Sequence, residues 1–529
     1  MPFATSRTVS LIGAVGHVID VQADVSPGQV ATVLVGRPDA ALNEARDRCR
    51  MAIINSQLPW PSTRRTTILL SPADLPKRGT HYDLAIAVAV LGATGNVSRD
   101  ALDGVAFLGE LTLDGGLRSV PGVLPMVLAA ARQGVHRLVV PEPQAAEAAM
   151  VPGVDVLGVR SLSQVVAELR GEPVPEAPAV TEMAGSRLLS WRGSGRMEQL
   201  DLADLVGMED TRFAVEVAAA GGHHLLLSGP KGSGKTSIAE RIPGLLPDLT
   251  REEALELTAV HSLAGALEPG DGLRTRPPFT APHHDASTAS LVGGGAGAVR
   301  PGEISRAHCG VLLLDEFPLF RTDVINALRQ PLESGEITVA RAEESVVLPA
   351  RSIVVLAANP CPCGEFHADV RHNKCQCREV QRRDYRRKVT GPITDRIDIT
   401  RHLTAATPYA SRDPLAVRES TATVRSRVEA ARERQAQRYA GEGWRLNGHA
   451  PGPALAAQWP LDDEAGRLVD EHLWSGRLTR RGVTRVHRLA WTVADLTGQD
   501  RPGAEEADTA LRLRSGTPLM ANALQRRAG

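Results

Sequence analysis

The sequence predicts a multidomain α/β protein with a phosphate-loop core and a helical C-terminal end. Three observations predict it. Strand and helix signals alternate through residues 1–170, a glycine-rich loop joins an apolar strand to a helix near residue 229, and strand signals stop at about residue 412. A length of 529 residues suits about three domains. We therefore divide the chain into residues 1–170, 171–198, 199–402 and 403–529.

The N-terminal and C-terminal parts differ in their hydrophobic patterns. In the first part we predict strands at 9–13, 30–35 and 67–70 and helices at 39–56 and 83–92, the second of them apolar throughout and buried. Residues 171–198 are rich in proline and poor in apolar residues, which is typical of a linker. Helical stretches at 413–439, 462–474 and 479–496 predict a C-terminal α-helical lid packed on the core.

The core contains a stretch from Gly229 to Thr236 that fits G-x-x-x-x-G-K-[ST], the loop that wraps nucleotide phosphates. Its glycines let the backbone close on phosphates without Cβ clashes, and Lys235 supplies a charge to the β and γ phosphates. Only five of the 60 basic residues are Lys, so Lys235 marks a place where a compact ammonium is required. The predicted phosphate-binding residues are Gly229, Gly232, Ser233, Gly234, Lys235 and Thr236.

Two further apolar strands end in polar residues. Residues 311–314 lead into Asp315 and Glu316, and residues 353–358 lead into Asn359. Thr236 and Asp315 suit Mg²⁺, which prefers few protein ligands. Glu316 is placed to polarise an attacking water, and Asn359 to orient it. The loop, acid pair and amide in this order predict an ATPase that uses ATP and Mg²⁺.

Bulk composition narrows the function classes. A net charge of −1 gives no global field toward DNA or membranes, so nucleic-acid binding requires local patches. No apolar run reaches the length of a membrane span, and the N-terminus lacks a signal pattern, so we expect a cytoplasmic protein without a membrane partner.

Four of the six cysteines cluster within residues 361–377 as two Cys-x-Cys pairs. Four thiolates satisfy tetrahedral zinc, and a closed site of this kind is structural because no position remains open for catalysis. The alternatives are substitution by His367 or His372 and a loop of reduced cysteines. The predicted zinc ligands are Cys361, Cys363, Cys375 and Cys377.

Two insertions and one basic segment interrupt the core pattern. Residues 277–302 are too glycine-rich for regular core, and residues 335–348 alternate around a polar turn, which predicts a β-hairpin. Residues 371–388 form the most basic segment of the chain and suit DNA phosphates, a solvated helix face or a neighbouring subunit equally well.

The chain resembles the YifB/ComM family of Mg-chelatase-like AAA+ ATPases. The resemblance is carried by residues 34–42, 71–75, 218–227, 281–284, 300–305, 332–341 and 358–364. It implies a homo-oligomeric ring, a hexamer, in which both insertions are pore loops. It also implies a motor on single-stranded or branched DNA that performs branch migration, a helicase-type activity, in the recombination of incoming single strands during natural transformation.

The same resemblance assigns residues outside the phosphate loop. Arg396, in Thr-Asp-Arg-Ile-Asp-Ile, matches the arginine that reaches a neighbour's nucleotide, and Arg481 or Arg485 matches the second sensor of the γ-phosphate. The N-terminal domain resembles the peptidase domain of Lon. His81 stands at the position of its serine and Pro125 near that of its lysine, so the catalytic dyad is lacking.

Two other functions fit a phosphate-loop ATPase. One is a magnesium-chelatase-type motor subunit, and the other is a nucleotide-gated scaffold that remodels proteins without binding DNA. The N-terminal domain and the cysteine cluster disfavour the first, and DNA-stimulated ATP turnover would exclude the second.

Overall fold

Two separate β-sheets, one of seven strands and one of five, organise the protein. The computed structural model describes residues 3–12, 15–180, 200–205, 207–267, 270–294, 299–340, 345–366, 373–389, 393–404 and 418–525. The seven-stranded sheet lies within residues 1–170, the five-stranded sheet lies within 199–402, and the last part of the chain is helical. The α/β class with a helical C-terminal end is therefore confirmed.

The N-terminal sheet is mixed, with strand order β3-β4-β2-β1-β5-β8-β9. Its elements are β1 (Phe3–Ile12), β2 (Val15–Ser26), β3 (Ala31–Val35), α1 (Ala40–Asn55), β4 (Arg65–Ser71), α2 (Asp83–Ala93), β5 (Val105–Phe107), β6 (Glu110–Leu111), β7 (Leu117–Arg118), α3 (Val123–Arg132), β8 (Arg137–Pro141), α4 (Ala145–Ala148), β9 (Asp155–Val159) and α5 (Leu162–Arg170). The predicted strands and helices of this part are confirmed. Asp39 caps α1 by accepting from the Leu42 N–H, and α2 is buried along its whole length as its apolar sequence requires.

The core sheet is parallel throughout, with order β11-β14-β17-β10-β18. The elements of this part are α6 (Glu209–Gly221), β10 (Leu225–Ser228), α7 (Lys235–Ala239), α8 (Ile242–Leu245), α9 (Arg251–Leu263), β11 (Phe279–Thr280), α10 (Thr288–Val292), β12 (Gly293–Gly294), β13 (Arg300–Pro301), α11 (Glu303–Arg306), β14 (Val311–Leu314), α12 (Thr322–Ala327), α13 (Arg329–Ser334), β15 (Glu336–Ala340), β16 (Ser345–Pro349), β17 (Ile353–Ala358), α14 (Glu379–Val389) and β18 (Ile399–His402). Leucine, valine and isoleucine side chains fill both faces of the sheet, as a strand covered on both sides requires.

Strand register gives the core sheet two distinct edges. Leu225 pairs with Val355 and with Ile399, and Leu314 pairs with Leu356, so β10, β14 and β17 end side by side. We call the residues that follow these strands, 229–236, 315–316 and 359, the carboxyl edge. Residues 223–224 and 395–398, which precede β10 and β18, form the amino edge. Four residues of strand separate the edges by about 13 Å.

The insertions differ in how well the sequence predicted them. The hairpin is confirmed, because β15 and β16 pair antiparallel from Glu336 opposite Pro349 to Ala340 opposite Ser345; the turn at 341–344 lies outside the described residues. The prediction that residues 277–302 lie outside the regular core is wrong at their start. Phe279 and Thr280 pair with Val311 and Leu312 and add β11 to the sheet, because Phe279 packs on the core.

The C-terminal part consists of helices in the described residues, with no strand after His402 there. They are α15 (Thr421–Arg438), α16 (Gly452–Gln458), α17 (Asp463–Trp474), α18 (Arg480–Thr497), α19 (Ala504–Ser515) and α20 (Ala521–Gln525). The predicted helices at 462–474 and 479–496 match α17 and α18. Residues 413–417 of the first predicted helix lie outside the described residues, as do 181–198 of the linker, whereas 171–180 have neither helix nor strand. No helix in the described ranges is both long and apolar enough to cross a bilayer.

A buried polar network joins α18 to the amino edge. His223 lies 3.6 Å from the Asp398 carboxylate through Nδ1 and 2.7 Å from the Thr492 hydroxyl through Nε2. The Arg485 guanidinium donates to the same carboxylate. Burial raises the pKa of Asp398, but Arg485 and His223 together hold that pKa well below its usual value. The network therefore fixes the helical part against the core through a carboxylate that stays charged.

Candidate functional site: the two edges of the core sheet

The phosphate loop turns sharply out of β10 into α7. Gly232 and Gly234 have φ of +77° and +85°, which favour glycine. A Cβ on Gly229 would come within 2.6 Å of the Leu403 carbonyl oxygen, so only glycine fits there. Ser233 is buried in the loop and its hydroxyl lies 3.5 Å from the Lys235 Nζ. The loop thus has the backbone shape that a phosphate cradle requires.

Lys235 is held inside this loop. Its Nζ donates to the carbonyl oxygens of Gly229 and Pro230, at 2.8 Å each. Burial lowers the pKa of Lys235, and the nearby carboxylates of Asp315 and Glu316 oppose that shift. The ammonium is therefore positioned at the mouth of the loop, between the helix N-terminus and two acids.

Thr236 and Asp315 meet directly although they are far apart in sequence. The Thr236 Oγ1 donates to the Asp315 Oδ2 at 2.8 Å. A hydroxyl and a carboxylate in contact beside a phosphate loop form the oxygen donor set that Mg²⁺ takes in such sites. These two residues therefore fit the predicted Mg²⁺ ligands.

Glu316 follows Asp315 with a strained backbone. Its φ is +52°, in the left-handed region, and its N–H donates to the Asp315 Oδ1 at 2.8 Å. Backbone strain of this kind costs about 1–3 kcal/mol at a non-glycine residue and is concentrated at functional sites. The Glu316 Oε2 lies 3.8 Å from the Nδ1 of His284, which comes from the first insertion. Sequence reasoning gave His284 no role, although its Pro-His-His segment was a visible signal.

Asn359 completes the carboxyl edge at the end of β17. Its backbone lies beside the Tyr385 hydroxyl of α14. Burial raises the pKa of Tyr385 to about 12, so the hydroxyl stays protonated. A Cβ built on Gly364 would lie 3.5 Å from the Lys231 Cβ and 3.9 Å from the Asn359 Cγ, so the chain after Asn359 folds back on the phosphate loop. Tyr385 is a second residue that sequence reasoning missed.

The three predicted arginines lie at the other edge. Arg396 ends a short 3₁₀ turn three residues before β18, and its Nη2 lies 2.7 Å from the Glu333 Oε1 at the base of the hairpin. The structure thus separates Arg396 from the phosphate loop of its own chain by the length of β18, about 13 Å of strand. Its predicted role as the arginine that serves a neighbour's nucleotide stays a prediction.

Arg481 and Arg485 lie one helical turn apart on α18 but have different surroundings. The Arg481 side chain is 67% exposed and its Nη1 is 4.0 Å from the Asp395 Oδ2. The Arg485 side chain is 12% exposed, pairs with Asp398, and donates from Nε to the Asp395 carbonyl at 3.1 Å. Both predicted sensors therefore flank the segment that carries Arg396, and their contact with nucleotide stays a prediction.

The four clustered cysteines converge after Asn359. Their sulfurs all lie within 4.8 Å of one another, with Cys361 at 3.3 Å from Cys363 and at 3.5 Å from Cys375. A thiolate tetrahedron around zinc, with Zn–S of about 2.3 Å, separates sulfurs by about 3.8 Å. The Glu365 backbone N–H lowers the pKa of Cys363 to about 6, which favours the thiolate form that binds metal. The cluster fits a structural zinc site formed by Cys361, Cys363, Cys375 and Cys377; His367 and His372 lie outside the described residues.

The N-terminal positions compared with a peptidase dyad hold no such pair. His81 is buried, and its Nε2 contacts the Val9 carbonyl at 2.8 Å. Burial lowers the pKa of His81 to about 4, so its ring is neutral at physiological pH. Pro125 is buried in the first turn of α3. These environments are those of packed interior residues.

Comparison with known proteins finds relatives that match nearly the whole chain. Family models match at residues 21–144 for subunit ChlI of Mg-chelatase, at 201–410 for magnesium chelatase, subunit ChlI, and at 418–514 for its C-terminal part. An uncharacterized protein of Mycobacterium tuberculosis is 45% identical over 97% of this chain and 99% of its own length. The protein YifB of Escherichia coli is 39% identical over 94% of both chains.

A third relative carries a functional name. The competence protein ComM of Haemophilus influenzae is 36% identical over 95% of both chains. Matches of this extent include the N-terminal unit, the core and the helical part together. The chain therefore belongs to the YifB/ComM family of magnesium-chelatase-like AAA+ proteins, a membership that implies ATPase activity with ATP and Mg²⁺.

Proposed function

We propose that this chain is an ATP-driven motor that acts on DNA as a ring of identical subunits, a hexamer. The work proposed is branch migration, a helicase-type movement of strands, during recombination of incoming single-stranded DNA in natural transformation. The support for the DNA part is the relative named as a competence protein, which matches 95% of this chain. We place the motor in the cytoplasm because its sequence has no membrane-length apolar run.

The observation that carries ATP hydrolysis is the 2.8 Å contact between Thr236 and Asp315 beside Lys235. Lys235 and the loop backbone bind the phosphates, and Thr236 and Asp315 hold the metal. Bound there, Mg²⁺ would supply positive charge beside the phosphates, and the chain's own part is to hold it through Thr236 and Asp315. Glu316 orients a water toward the γ-phosphorus and accepts its proton as the bond to the β-phosphate oxygen breaks; Asn359 helps to align that water.

The position of the arginines supports the proposed ring. Arg396 pairs with Glu333 and Arg481 lies near Asp395, at the amino edge, whereas the phosphate loop lies at the carboxyl edge; we propose that both arginines serve the nucleotide of an adjacent subunit. A head-to-tail contact of one subunit's amino edge with the next subunit's carboxyl edge closes a ring. In this arrangement Arg396 stabilises charge on the transferring phosphoryl group, and Arg481, with Arg485 behind it, senses the γ-phosphate.

The remaining parts have supporting roles in the proposal. We propose a domain division at 1–170, 171–198, 199–402 and 403–529. The first domain is a Lon-peptidase-like unit without its catalytic dyad that binds a partner, and the last is the helical lid. The two insertions act as pore loops that contact DNA in the centre of the ring.

Turnover of ATP measured without DNA, with single-stranded DNA and with a branched junction tests the function. We expect stimulation by both DNAs, with the junction converted to product strands only when ATP is present. ATPase activity that ignores both DNAs would favour the protein-remodelling scaffold. If ATP turnover instead drives the insertion of magnesium into a porphyrin, the chelatase motor would be favoured.

We also propose that the cysteine cluster holds one structural zinc. The supporting observation is the convergence of four sulfurs at distances close to those of a tetrahedral site. Elemental analysis of the purified protein should give one zinc per chain, and the double variant Cys363→Ser/Cys375→Ser should give none. Far less than one zinc in the unmodified protein would refute the site.

A further inference from the structure

The segment that carries the cysteines also carries the most basic helix of the described chain. We call residues 361–366 and 373–389 the cysteine–basic segment. It leaves the carboxyl edge directly after Asn359, passes through the cysteine cluster and ends in α14. Residues 373–389 hold seven basic side chains and two acidic ones. The chain therefore places its strongest positive charge one loop away from a predicted catalytic residue.

The inner side of this segment contacts the carboxyl edge, or residues just after it, at three points. The buried Tyr385 side chain, 7% exposed, lies beside the Asn359 backbone. Lys388 Nζ donates to the Pro318 carbonyl at 2.9 Å, two residues after Glu316. Gly364 approaches Lys231 of the phosphate loop closely enough that an added Cβ would touch it. A shift of the cysteine–basic segment would therefore move groups that lie beside the phosphate loop, the Asp315–Glu316 pair and Asn359.

Two arginines bind the helix to the cysteine loop. The guanidinium groups of Arg382 and Arg386 each lie 4.9 Å from the centre of the Phe366 ring. Such cation–π contacts stabilise by about 0.5–2 kcal/mol each, depending on burial. The helix and the loop therefore behave as one body.

The outer side of α14 presents basic groups to solvent. The Arg383 and Arg387 side chains are 61% and 71% exposed, and each lies 3.8 Å from the Asp384 carboxylate. Exposed pairs at that distance are worth little, so both guanidiniums remain available to a phosphate. Their spacing at i and i+4 puts them on one face of the helix.

We propose that this outer face binds nucleic-acid backbone phosphates, and that α14 transmits the binding to the carboxyl edge through Tyr385 and Lys388. The inference rests on the proposed DNA function and names the surface and the relay that serve it. The partner is a nucleic acid because the face offers spaced guanidiniums and few apolar side chains, the pattern that phosphate contacts use.

The first experiment measures DNA affinity against salt for the full-length protein and for Arg383→Gln/Arg387→Gln. Two lost phosphate contacts should weaken binding and flatten the slope of log affinity against log salt by about 2. The control is Arg467→Gln/Arg477→Gln, an equal charge change on the exposed surface of the lid, which should keep the slope. An unchanged slope in the α14 variant would overturn the docking surface.

The second experiment measures the ratio of ATP turnover with and without DNA in Tyr385→Phe. Since the ring is kept and the outer arginines are untouched, DNA affinity should match the unmodified protein, whereas the stimulation ratio should fall several-fold. Thermal unfolding confirms that the variant is folded. A full stimulation ratio in this variant would overturn the relay.

The outcomes separate this inference from the proposed function. No DNA stimulation in the unmodified protein refutes the function itself. Stimulation that survives in both variants refutes only the inference. If Arg383→Gln/Arg387→Gln instead lowers the mass of the assembly by light scattering, the face is a contact between subunits, and the nucleic-acid assignment is wrong.

Discussion

The two edges of the core sheet contrast in what they contain. The carboxyl edge gathers the phosphate loop, Asp315, Glu316 and Asn359 at the ends of neighbouring strands, and Thr236 contacts Asp315 directly. The amino edge gathers Arg396, Arg481 and Arg485 around Asp395 and Asp398. One chain thus carries two clusters of charged residues at opposite edges of its core sheet. The difference teaches that its chemistry, as proposed, belongs to the contact between subunits.

The largest expected effect comes from removing the Arg396 side chain from the amino edge. Arg396→Ala should lower ATP turnover by about 10³–10⁵-fold, because an arginine supplied by a neighbour stabilises the transferring phosphoryl group. A mixture with the phosphate-loop variant Lys235→Ala should regain activity, since about a quarter of interfaces in a randomly mixed ring then pair two intact edges. Steady-state ATPase assays of each variant and of the mixture measure this.

The matched control for Arg396 is Glu333→Gln. It removes the ion pair that Arg396 makes within its own chain, with a Glu333 side chain that is 50% exposed. Because exposed pairs contribute about 0–1 kcal/mol, turnover should stay near normal. If the mixture of Arg396→Ala with Lys235→Ala stays as inactive as each variant alone, the two edges do not complete one site.

The next effect concerns the carboxyl edge alone. Glu316→Gln keeps the shape of the side chain but removes the base, so turnover should fall by about 10²–10⁴-fold while ATP binding is retained. Single-turnover kinetics and nucleotide titration measure the two properties. Glu433→Gln, an exposed residue of α15, is the control and should be neutral. Normal turnover in Glu316→Gln would remove its assigned role.

A stability effect should distinguish the two arginines of α18. Arg485→Met leaves the Asp398 carboxylate, 2% exposed, without its main partner, so the free energy of unfolding should fall by about 3–5 kcal/mol. Arg481→Ala, at a 67% exposed position, should change it by less than about 0.5 kcal/mol but lower ATP turnover. Urea unfolding and ATPase assays test both, and the reverse pattern would make Arg485 the sensor.

The smallest effect is the part of the pH dependence of stability that His224 contributes at the amino edge. Burial lowers the pKa of His224 from 6.5 to about 4, against the opposing charge of Asp398, and its Nδ1 accepts from the Val354 N–H at 3.1 Å. The unfolded chain binds a proton at His224 more readily than the folded chain does. The contribution of His224 to the free energy of unfolding should therefore be full above pH 6.5 and fall by at most about 3 kcal/mol as the pH drops to 4.

The variant His224→Asn checks that assignment. Its amide oxygen can still accept from the Val354 N–H but cannot titrate, so the unfolding free energy should depend less steeply on pH between 6.5 and 4. Urea midpoints at several pH values give the two slopes. Parallel slopes would mean that other groups produce the acid sensitivity.

The sequence predicted the carboxyl edge better than its surroundings. Strand endings and a short motif are local signals, so Lys235, Asp315 and Asn359 could be assigned before any coordinates. His284 and Tyr385 were missed because their roles depend on long-range packing. Tyr385 has no local pattern that distinguishes it from an ordinary core residue, and the Pro-His-His segment of His284 does not by itself show which group the histidine contacts. Likewise, the short strand at Phe279 was missed because two residues give no periodic signal.

The sequence by itself determined the α/β class, the phosphate loop, the hairpin and the candidate zinc ligands, because each depends on residues close together in the chain. Only the tertiary structure decided that the arginines lie at the opposite edge of the core sheet from the phosphate loop of their own chain. Parallel strands put every strand end at one edge and every strand start at the other, and this geometry follows from the pairing of the whole sheet. No stretch of sequence contains that pairing.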